Sequence, residues 1–116
     1  MMNTFTTRTT NPKPTVTQPE VVGKKNDLGK LRFDLVDADF EEQLAKVITY
    51  GANKYAPDNW KKVEDPVNRY YAALRRHLAA WRKGEKVDSE SGLNHLAHVA
   101  ANVMFLLHFE APGDKK

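Results

Sequence analysis

Four side chains with hydrogen-bonding or metal-binding chemistry recur along residues 89–110 at the spacing of one helix face. They are Ser91, His95, His98 and Asn102, three or four residues apart. Apolar residues occupy most other positions of the segment, so this stripe should lie on a helix that is buried nearly all round. A buried polar group without a partner costs about 1–3 kcal/mol. The stripe therefore has to bond within the protein or face a metal ion and a substrate.

Three carboxylates come shortly before the two histidines, at Glu85, Asp88 and Glu90. Imidazole nitrogens suit transition metals, and carboxylate oxygens suit Mg²⁺ or Mn²⁺. This combination indicates a divalent-metal site. The three-residue interval between His95 and His98 differs from the four-residue interval of helical zinc pairs, however. At this point a buried hydrogen-bond network is an equal alternative.

Basic residues near the start of the chain offer a second kind of chemistry. Gly29 permits a tight turn, and Lys30 and Arg32 beside it could hold phosphate oxygens. The spacing alone favours a simpler interpretation, in which this extended segment packs its apolar residues on the core. Trp60 also has two interpretations, as a core residue or as a surface on which a base stacks. His77 is most simply a core histidine.

Helical periodicity predicts three helices, over residues 37–55, 65–85 and 89–110. In the first, Asp39 should be the N-cap, with Glu42 as its capping-box partner.

The other helix ends carry similar signals. Asp65 should cap the second helix, with Pro66 at the first helical position and Gly84 as the stop. Asp88 or Ser89 should cap the third helix. No segment shows a convincing strand pattern, so the sequence predicts an all-α fold.

Composition limits the function classes. The 116 residues include no cysteine and no apolar run long enough to span a membrane, so we expect a cytoplasmic protein without disulfides or membrane binding. Residues 1–25 hold four of the 18 basic residues and one of the 15 acidic ones, so the net charge of +3 belongs to this end. It does not predict nucleic-acid binding.

The sequence predicts a flexible Thr- and Pro-rich arm over residues 1–23, a helical domain over 24–111 and a polar tail over 112–116. Three helices give a thin core, and two neighbours cannot cover a third helix that is apolar on most faces. We therefore expect a homo-oligomer, a dimer or tetramer whose subunits complete one helical bundle.

Several long blocks of the sequence resemble a known family. The blocks GKLRFDLV, ITYGANKYAPDNW and LRRHLAAWRKGEKVDSESGLNHLAHVAAN, within residues 24–107, are similar to the N-terminal domain of phage dATP/dGTP diphosphohydrolases. That family includes MazZ-type enzymes and is grouped with the MazG-like all-α NTP pyrophosphatases. The resemblance implies Mg²⁺- or Mn²⁺-dependent cleavage of a purine dNTP to the monophosphate and pyrophosphate.

The resemblance also carries over positions that match the family pattern, without assigning roles to them. The positions carried over are Gly29, Lys30, Arg32, Asp34, Tyr50, Gly51, Lys54, Tyr55, Asn59, Trp60, Arg75, His77, Glu85, Asp88, Glu90, Ser91, Gly92, His95, His98 and Asn102. One departure stands out. MazG-like enzymes hold their metals with acidic E-E-x-x-E and E-x-x-D motifs on two helices. Here Glu41 and Glu42 are followed by Ala45, and the last helix carries histidines where acids are expected.

The working hypothesis assigns roles to these residues. We expect the metal to be held by Asp88, Glu90, His95 and His98, with Asp88, Glu90 and His98 taking part in catalysis. Substituting Glu90 by Gln should abolish turnover and leave the fold intact. Residues expected to bind the substrate are Lys30, Arg32, Lys54, Tyr55, Asn59, Trp60, Arg75, His77 and Asn102. The alternative hypothesis is a phage protein that sequesters a nucleotide without hydrolysing it.

Overall fold

A computed structural model describes residues 23–110 of the chain. The chain divides into two compact units, residues 1–32 and residues 33–116. The predicted arm, apart from Gly23, and the predicted polar tail lie outside the described residues.

The described part of the first unit is a short turn. The backbone N–H of Lys30 donates to the carbonyl of Asp27 over 3.0 Å, and Gly29 has a φ of +85° that favours glycine. The carboxylate of Asp27 lies 3.5 Å from the ammonium of Lys25 and 3.8 Å from that of Lys30. The predicted turn at Gly29 is confirmed.

The first helix of the second unit, α1, spans Ala38–Lys54. Its N-cap is Asp37, whose carboxylate accepts a hydrogen bond from the backbone N–H of Phe40. The predicted cap at Asp39 with Glu42 is therefore wrong by two residues. Asp39 lies in the first turn, where a carboxylate still favours the helix dipole.

The second helix, α2, spans Pro66–Arg82, with Pro66 at its start as predicted. Asp65 occupies the N-cap position with a φ of +50°, but its side chain makes no capping bond. Instead the carboxylate accepts from the Asn68 side chain at 3.2 Å.

Gly84 ends α2 as predicted, and its conformation decides where the following chain goes. Its φ is +106°, and its N–H donates to the carbonyl of Trp81 while the N–H of Glu85 donates to that of Ala80. This pair of bonds is the Schellman arrangement. It turns the chain sharply and brings Glu85 to the helix end.

The third helix, α3, spans His95–Glu110, so the predicted start at residue 89 is wrong. The chain over residues 87–94 forms a tight loop instead. The N–H of Asp88 donates to the carbonyl of Leu93, and Gly92 turns the loop with a φ of +75°. Asn94, not Asp88 or Ser89, bonds the first turn of α3, because its side-chain oxygen accepts from the N–H of Leu96 at 2.8 Å.

Helix α3 packs against both other helices, and the core lies along it. The buried apolar residues are Val47, Ala97 and Ala101, with Leu44, Ile48, Leu93 and Phe105 packed around them. The all-α prediction is confirmed, since the described residues contain three α-helices and no strand beyond a single bridge between Val87 and Asn94.

Two apolar surfaces stay exposed in the single chain. Helix α3 is not covered all round, because Leu107 is 62% exposed, which agrees with the expectation that two neighbouring helices cannot cover it. The segment before α1 does not pack its apolar side on the core, since Phe33 and Leu35 are 74% and 71% exposed, so that interpretation is wrong. Both follow from the small number of helices that one chain supplies. Among the described residues, no helix combines the length and apolar character that crossing a membrane requires.

Candidate functional site

Three imidazoles meet where α2 passes the start of α3. The Nδ1 atoms of His77 and His95 are 2.8 Å apart. The ring of His77 stacks on that of His98, with centroids 4.3 Å apart and planes 5° from parallel. His95, His98 and Asn102 are 4%, 9% and 5% exposed, so these three members of the predicted polar stripe are buried as expected.

The second nitrogen of His95 is bonded to a carboxylate. Its Nε2 lies 3.0 Å from Oε2 of Glu85, the residue that the Schellman turn brings to the end of α2. A carboxylate accepts hydrogen bonds, so this contact favours the His95 tautomer that carries its proton on Nε2. In a neutral His95 the lone pair then lies on Nδ1, on the side of His77.

The loop before α3 fixes Asp88 and links it to His98. One carboxylate oxygen of Asp88 accepts from the backbone N–H of Ser91 at 2.8 Å. The hydroxyl of Ser91 is hydrogen-bonded to Nε2 of His98 at 2.7 Å and accepts from the N–H of Leu93 at 3.1 Å. Ser91 therefore contacts the histidines from the loop, although it was predicted to lie on the helix with them.

Glu90 is joined to α1. Its Oε2 accepts from the hydroxyl of Tyr50 at 2.9 Å and forms an ion pair with the ammonium of Lys54. Tyr50 and Lys54 are four residues apart, so they share one face of α1. These contacts hold the carboxylate of Glu90, which belongs to the 87–94 loop, against the part of the cavity wall that α1 forms.

Burial decides the charge of two of the histidines. Loss of solvation lowers the pKa of His77, and repulsion between the protonated forms of His77 and His98 lowers it further. Loss of solvation also lowers the pKa of His98, although the Asp88 carboxylate opposes this shift. Both rings are therefore neutral near pH 7, and a neutral imidazole has a lone pair for a metal.

The two loop carboxylates are ionised. Burial acts to raise the pKa of Asp88, but hydrogen bonds from the backbone and hydroxyl of Ser91 outweigh it and lower that pKa overall. The hydrogen bonds from Lys54 and then Tyr50 lower the pKa of Glu90. The bond to Glu90 in turn raises the pKa of the Lys54 ammonium, which stays charged.

His77, Asp88 and His95 form a cluster whose ligand atoms all lie within 4.8 Å of one another. The predicted metal set was Asp88, Glu90, His95 and His98. The structure thus brings Asp88 and His95 together and adds His77, which the sequence had favoured as a core residue. Glu90 and His98 lie beside the cluster, with Glu90 bonded to α1 and His98 bonded to Ser91.

The cluster faces a cavity of about 1080 Å³ between the helices. Ten predicted site residues line it: Lys54, Tyr55, Asn59, Trp60, His77, Asp88, Glu90, His95, His98 and Asn102. Two basic residues of α2, Arg69 and Arg76, line it as well. The cavity is therefore large enough for a nucleotide and combines carboxylates, imidazoles and cations in its wall.

Aromatic residues form the other end of the cavity. The Trp60 ring stacks on Phe105 with centroids 4.6 Å apart, and the edge of its ring system meets His108. The Tyr70 hydroxyl donates to the Trp60 carbonyl at 2.8 Å. Trp60 is thus packed as a core residue, and it also lines the cavity. Its use as a surface on which a base stacks stays a prediction.

Asn102 and Arg75 are placed less favourably for binding. The side-chain N–H of Asn102 donates to the carbonyl of His98 at 2.8 Å, so part of its amide is used within α3. Arg75 does not line the cavity, and its guanidinium donates to the hydroxyl of Tyr71 at 2.6 Å. Arg76 takes that place because it shares the α2 face of Arg69, seven residues earlier.

The predicted phosphate ligands Lys30 and Arg32 belong to the first unit. Both are exposed there, and Lys30 pairs with Asp27 within that unit.

Sequence reasoning carried Tyr50 and Glu85 over as pattern positions and counted Glu85 among the carboxylates near the histidines, but it assigned neither a specific role. It did not single out Arg69 or Arg76 as site residues. The four-residue interval between Tyr50 and Lys54 was an available signal for Tyr50. Glu85 and Asp88 also show the E-x-x-D spacing that was expected on a helix, but here it lies in the connection between α2 and α3.

Two comparisons with known proteins found similar sequences. A family model described as "dATP/dGTP diphosphohydrolase, N-terminal" matches residues 20–116. A protein of Salmonella phage PMBT28 named "dATP/dGTP diphosphohydrolase" is 36% identical over 86 residues, which are 74% of this chain and 29% of that protein. The chain thus spans less than a third of that relative's length. No solved structure matches the chain.

Proposed function

Because the chain belongs to the family of dATP/dGTP diphosphohydrolase N-terminal domains, we propose that it cleaves a purine deoxynucleoside triphosphate, dATP or dGTP, to the monophosphate and pyrophosphate. The observation that carries this proposal is that the His77, Asp88 and His95 cluster lines the same cavity as Lys54, Arg69 and Arg76.

The cations of the cavity would bind the triphosphate. Lys54, Arg69 and Arg76 come from α1 and α2 and face the same space. Arginine forks and a lysine point charge both recognise phosphate oxygens. Lys54 now pairs with Glu90, so phosphate would compete with that carboxylate for the ammonium.

A divalent ion, Mg²⁺ or Mn²⁺, would sit at Asp88, with His95 and His77 as the nearest other donors. When bound, such an ion neutralises phosphate charge and makes a bound water more acidic. The donors suit this use, because Asp88 is ionised and burial keeps His77 neutral.

Glu90 would orient the attacking water. Lys54 and then Tyr50 lower the pKa of its carboxyl, so Glu90 is ionised near pH 7. Once Lys54 leaves it for the phosphates, the carboxylate becomes a stronger base and can accept a proton from that water. Tyr50 would hold the carboxylate in place after Lys54 has moved to the phosphates. His98, bonded to Ser91, would steady the adjacent ring of His77 by stacking.

The aromatic end of the cavity would receive the base. Trp60 and Tyr55 line it and offer ring surface, and Asn59 beside them offers an amide that can bond the edge of a base. Phe105 already covers one face of Trp60, which leaves Tyr55, 64% exposed, as the freer stacking surface.

We further propose that the protein is a homo-oligomer, a dimer or tetramer. Large apolar side chains remain exposed on the 3₁₀ turn Phe33–Leu35, at Phe40 of α1 and at Leu107 of α3. Covering apolar surface of this extent is favourable, at about 25 cal/mol per Å². A second copy carries the same faces, so sedimentation should show a dimer or tetramer.

The test is to incubate the protein with each of the four dNTPs in turn, with Mg²⁺ or Mn²⁺, and to separate the products. We expect dGMP or dAMP and pyrophosphate in equal amounts, and much less product from dCTP and dTTP. Tight binding of a purine dNTP without any product would instead indicate a sequestering protein and would refute the hydrolase.

A further inference from the structure

The histidine cluster has a feature that a magnesium site does not need. Two of its three ligands are imidazoles, and their Nδ1 atoms face each other at 2.8 Å. Mg²⁺ is a hard ion that keeps oxygen ligands and several waters, whereas imidazole suits transition metals. Of the two ions considered above, the donor set therefore favours Mn²⁺, a transition metal, over Mg²⁺.

The separation of the two nitrogens is close to what one ion requires. Two imidazole nitrogens at about 2.1 Å from a common transition-metal ion stand about 3.0–3.4 Å apart, for bond angles between a right angle and a tetrahedral one. The 2.8 Å between His77 and His95 needs a widening of only a few tenths of an ångström. Without a metal, one of the two nitrogens has to donate a proton to the other.

Glu85 decides which nitrogen keeps the proton. Its carboxylate is bonded to Nε2 of His95 at 3.0 Å, so a neutral His95 carries its proton there and presents a bare Nδ1. The proton between the two rings then belongs to His77, and an entering ion has to displace that single proton. A carboxylate behind a ligating histidine is a common way to orient the ring and strengthen its basicity.

We propose that His77, Asp88 and His95 form a binding site for a transition-metal ion of the Mn²⁺ to Zn²⁺ series, which accepts imidazole nitrogen more readily than Mg²⁺ does, and that Glu85 positions His95 for it. The inference deepens the proposed function and rests on it for the purpose of the ion. The site itself is tested with metal alone.

The experiment titrates MnCl₂ into the metal-free full chain without nucleotide, and follows free Mn²⁺ by electron paramagnetic resonance. Pulsed measurements on bound Mn²⁺ then look for coupling to ¹⁴N. We expect nitrogen coupling from two imidazoles, and we expect MgCl₂ to displace Mn²⁺ only at an excess of about tenfold or more. Absence of binding, binding without nitrogen coupling, or displacement by equal MgCl₂ would each overturn the proposal.

Variants assign the ligands. His77→Ala and His95→Ala should each weaken Mn²⁺ binding by about 100-fold or more and remove one nitrogen coupling. His108→Gln, on the same helix but against Trp60, is the matched control and should bind Mn²⁺ like the wild type. Thermal melts in EDTA check folding, and His77→Gln serves if the alanine variant does not fold. Unchanged nitrogen coupling in a folded His77 or His95 variant overturns the assignment.

Two Glu85 variants separate positioning from general stability. Glu85→Ala removes the acceptor and should weaken Mn²⁺ binding about 10- to 100-fold. In Glu85→Gln the amide oxygen still accepts from His95, so this variant should recover most of the affinity. Equal affinity in both variants and the wild type would show that Glu85 does not position His95.

The Mn²⁺-binding experiment and the dNTP cleavage assay can succeed or fail independently of each other. Two-imidazole Mn²⁺ binding without cleavage of any dNTP would leave this site standing and refute the hydrolase. Cleavage of a dNTP with Mg²⁺, by a protein whose bound Mn²⁺ shows no nitrogen coupling, would support the hydrolase and refute this metal site.

Discussion

The two halves of α3 bury opposite kinds of side chain. Its first two turns carry His95, His98 and Asn102, all less than 10% exposed and all hydrogen-bonded. Its last turns carry Phe105 and Phe109, which pack with Trp60 and Tyr70 in an aromatic cluster. One helix thus joins a polar site to an apolar support.

The difference teaches where stability and activity reside. Burying aromatic rings is favourable in itself, and edge-to-face or stacked pairs add about 0.5–1.5 kcal/mol each. Buried polar networks contribute little net stability, because their bonds replace bonds to water. The polar half is therefore better explained by function, and the aromatic half by folding.

Substitution of Asp88 should give the largest effect and should fall on activity alone. Asp88→Asn keeps an oxygen that accepts from the Ser91 N–H but loses the negative charge. We expect kcat to fall by about 10³-fold, because the ion and the phosphates lose their anionic ligand. Steady-state kinetics measure the activity, and a thermal melt measures the stability. A variant with the melting temperature and the kcat of the wild type would contradict the assignment of Asp88.

Glu90→Gln should have the second-largest effect on turnover, and the variant should still fold. The amide oxygen can still accept from Tyr50, but the ion pair with Lys54 is lost and no base remains for the water. Turnover should fall by about 100-fold or more, as for removal of a general base. Single-turnover release of pyrophosphate is the measurement, with Glu110→Gln at the end of α3 as the control carboxylate. Pyrophosphate release at the wild-type rate would remove Glu90 from the reaction.

In the aromatic half, Phe109→Ala should show the opposite pattern. Phe109 is half-buried against Trp60 and Tyr70 and does not line the cavity. We expect a loss of about 1–2 kcal/mol in the free energy of unfolding, less than for a fully buried Phe. Urea unfolding measures it, while kcat should stay unchanged. A folded variant with low kcat would mean that the two halves are coupled.

The smallest effect should be a pH dependence confined to the polar half. Burial lowers the pKa values of His77 and His98 in the folded protein, so the unfolded chain binds protons first as the pH falls. Unfolding free energy in EDTA should therefore decline as the pH falls below about 6.5, the ordinary histidine value, towards the folded values. Urea titrations at several pH values test this. His77→Gln with His98→Gln should flatten the slope, and a rise in stability over that range would contradict it.

Much of the fold could be predicted from sequence, because periodicity is a local signal. The apolar stripe, Pro66 and Gly84 located α1 and α2 within a few residues, and the interval between His95, His98 and Asn102 identified the buried polar face. The start of α3 could not be found this way. Residues 89–94 suit a helix locally, but bonds across the loop, such as that from the His95 N–H to the Lys86 carbonyl, hold them out of it.

The metal cluster was also beyond local signals. His77 is 18 residues from His95, and the two meet only because α2 and α3 pack antiparallel across a short connection. Likewise Arg76 rather than Arg75 reaches the cavity because of the rotation of α2, which packing fixes and composition does not. Contacts within one helix could be foreseen, and contacts between helices could not.

Gly84 has a consequence for how this chain tolerates mutation. Nothing lies within 4 Å of the place where a side chain would begin, so a β-carbon would meet no neighbour there. Its left-handed backbone nevertheless strains every residue except glycine, and relaxing that strain would swing Glu85 away from His95. A harmless-looking exchange on the open surface would thereby damage the centre of the protein, so distance from the cavity is a poor guide to which positions can vary.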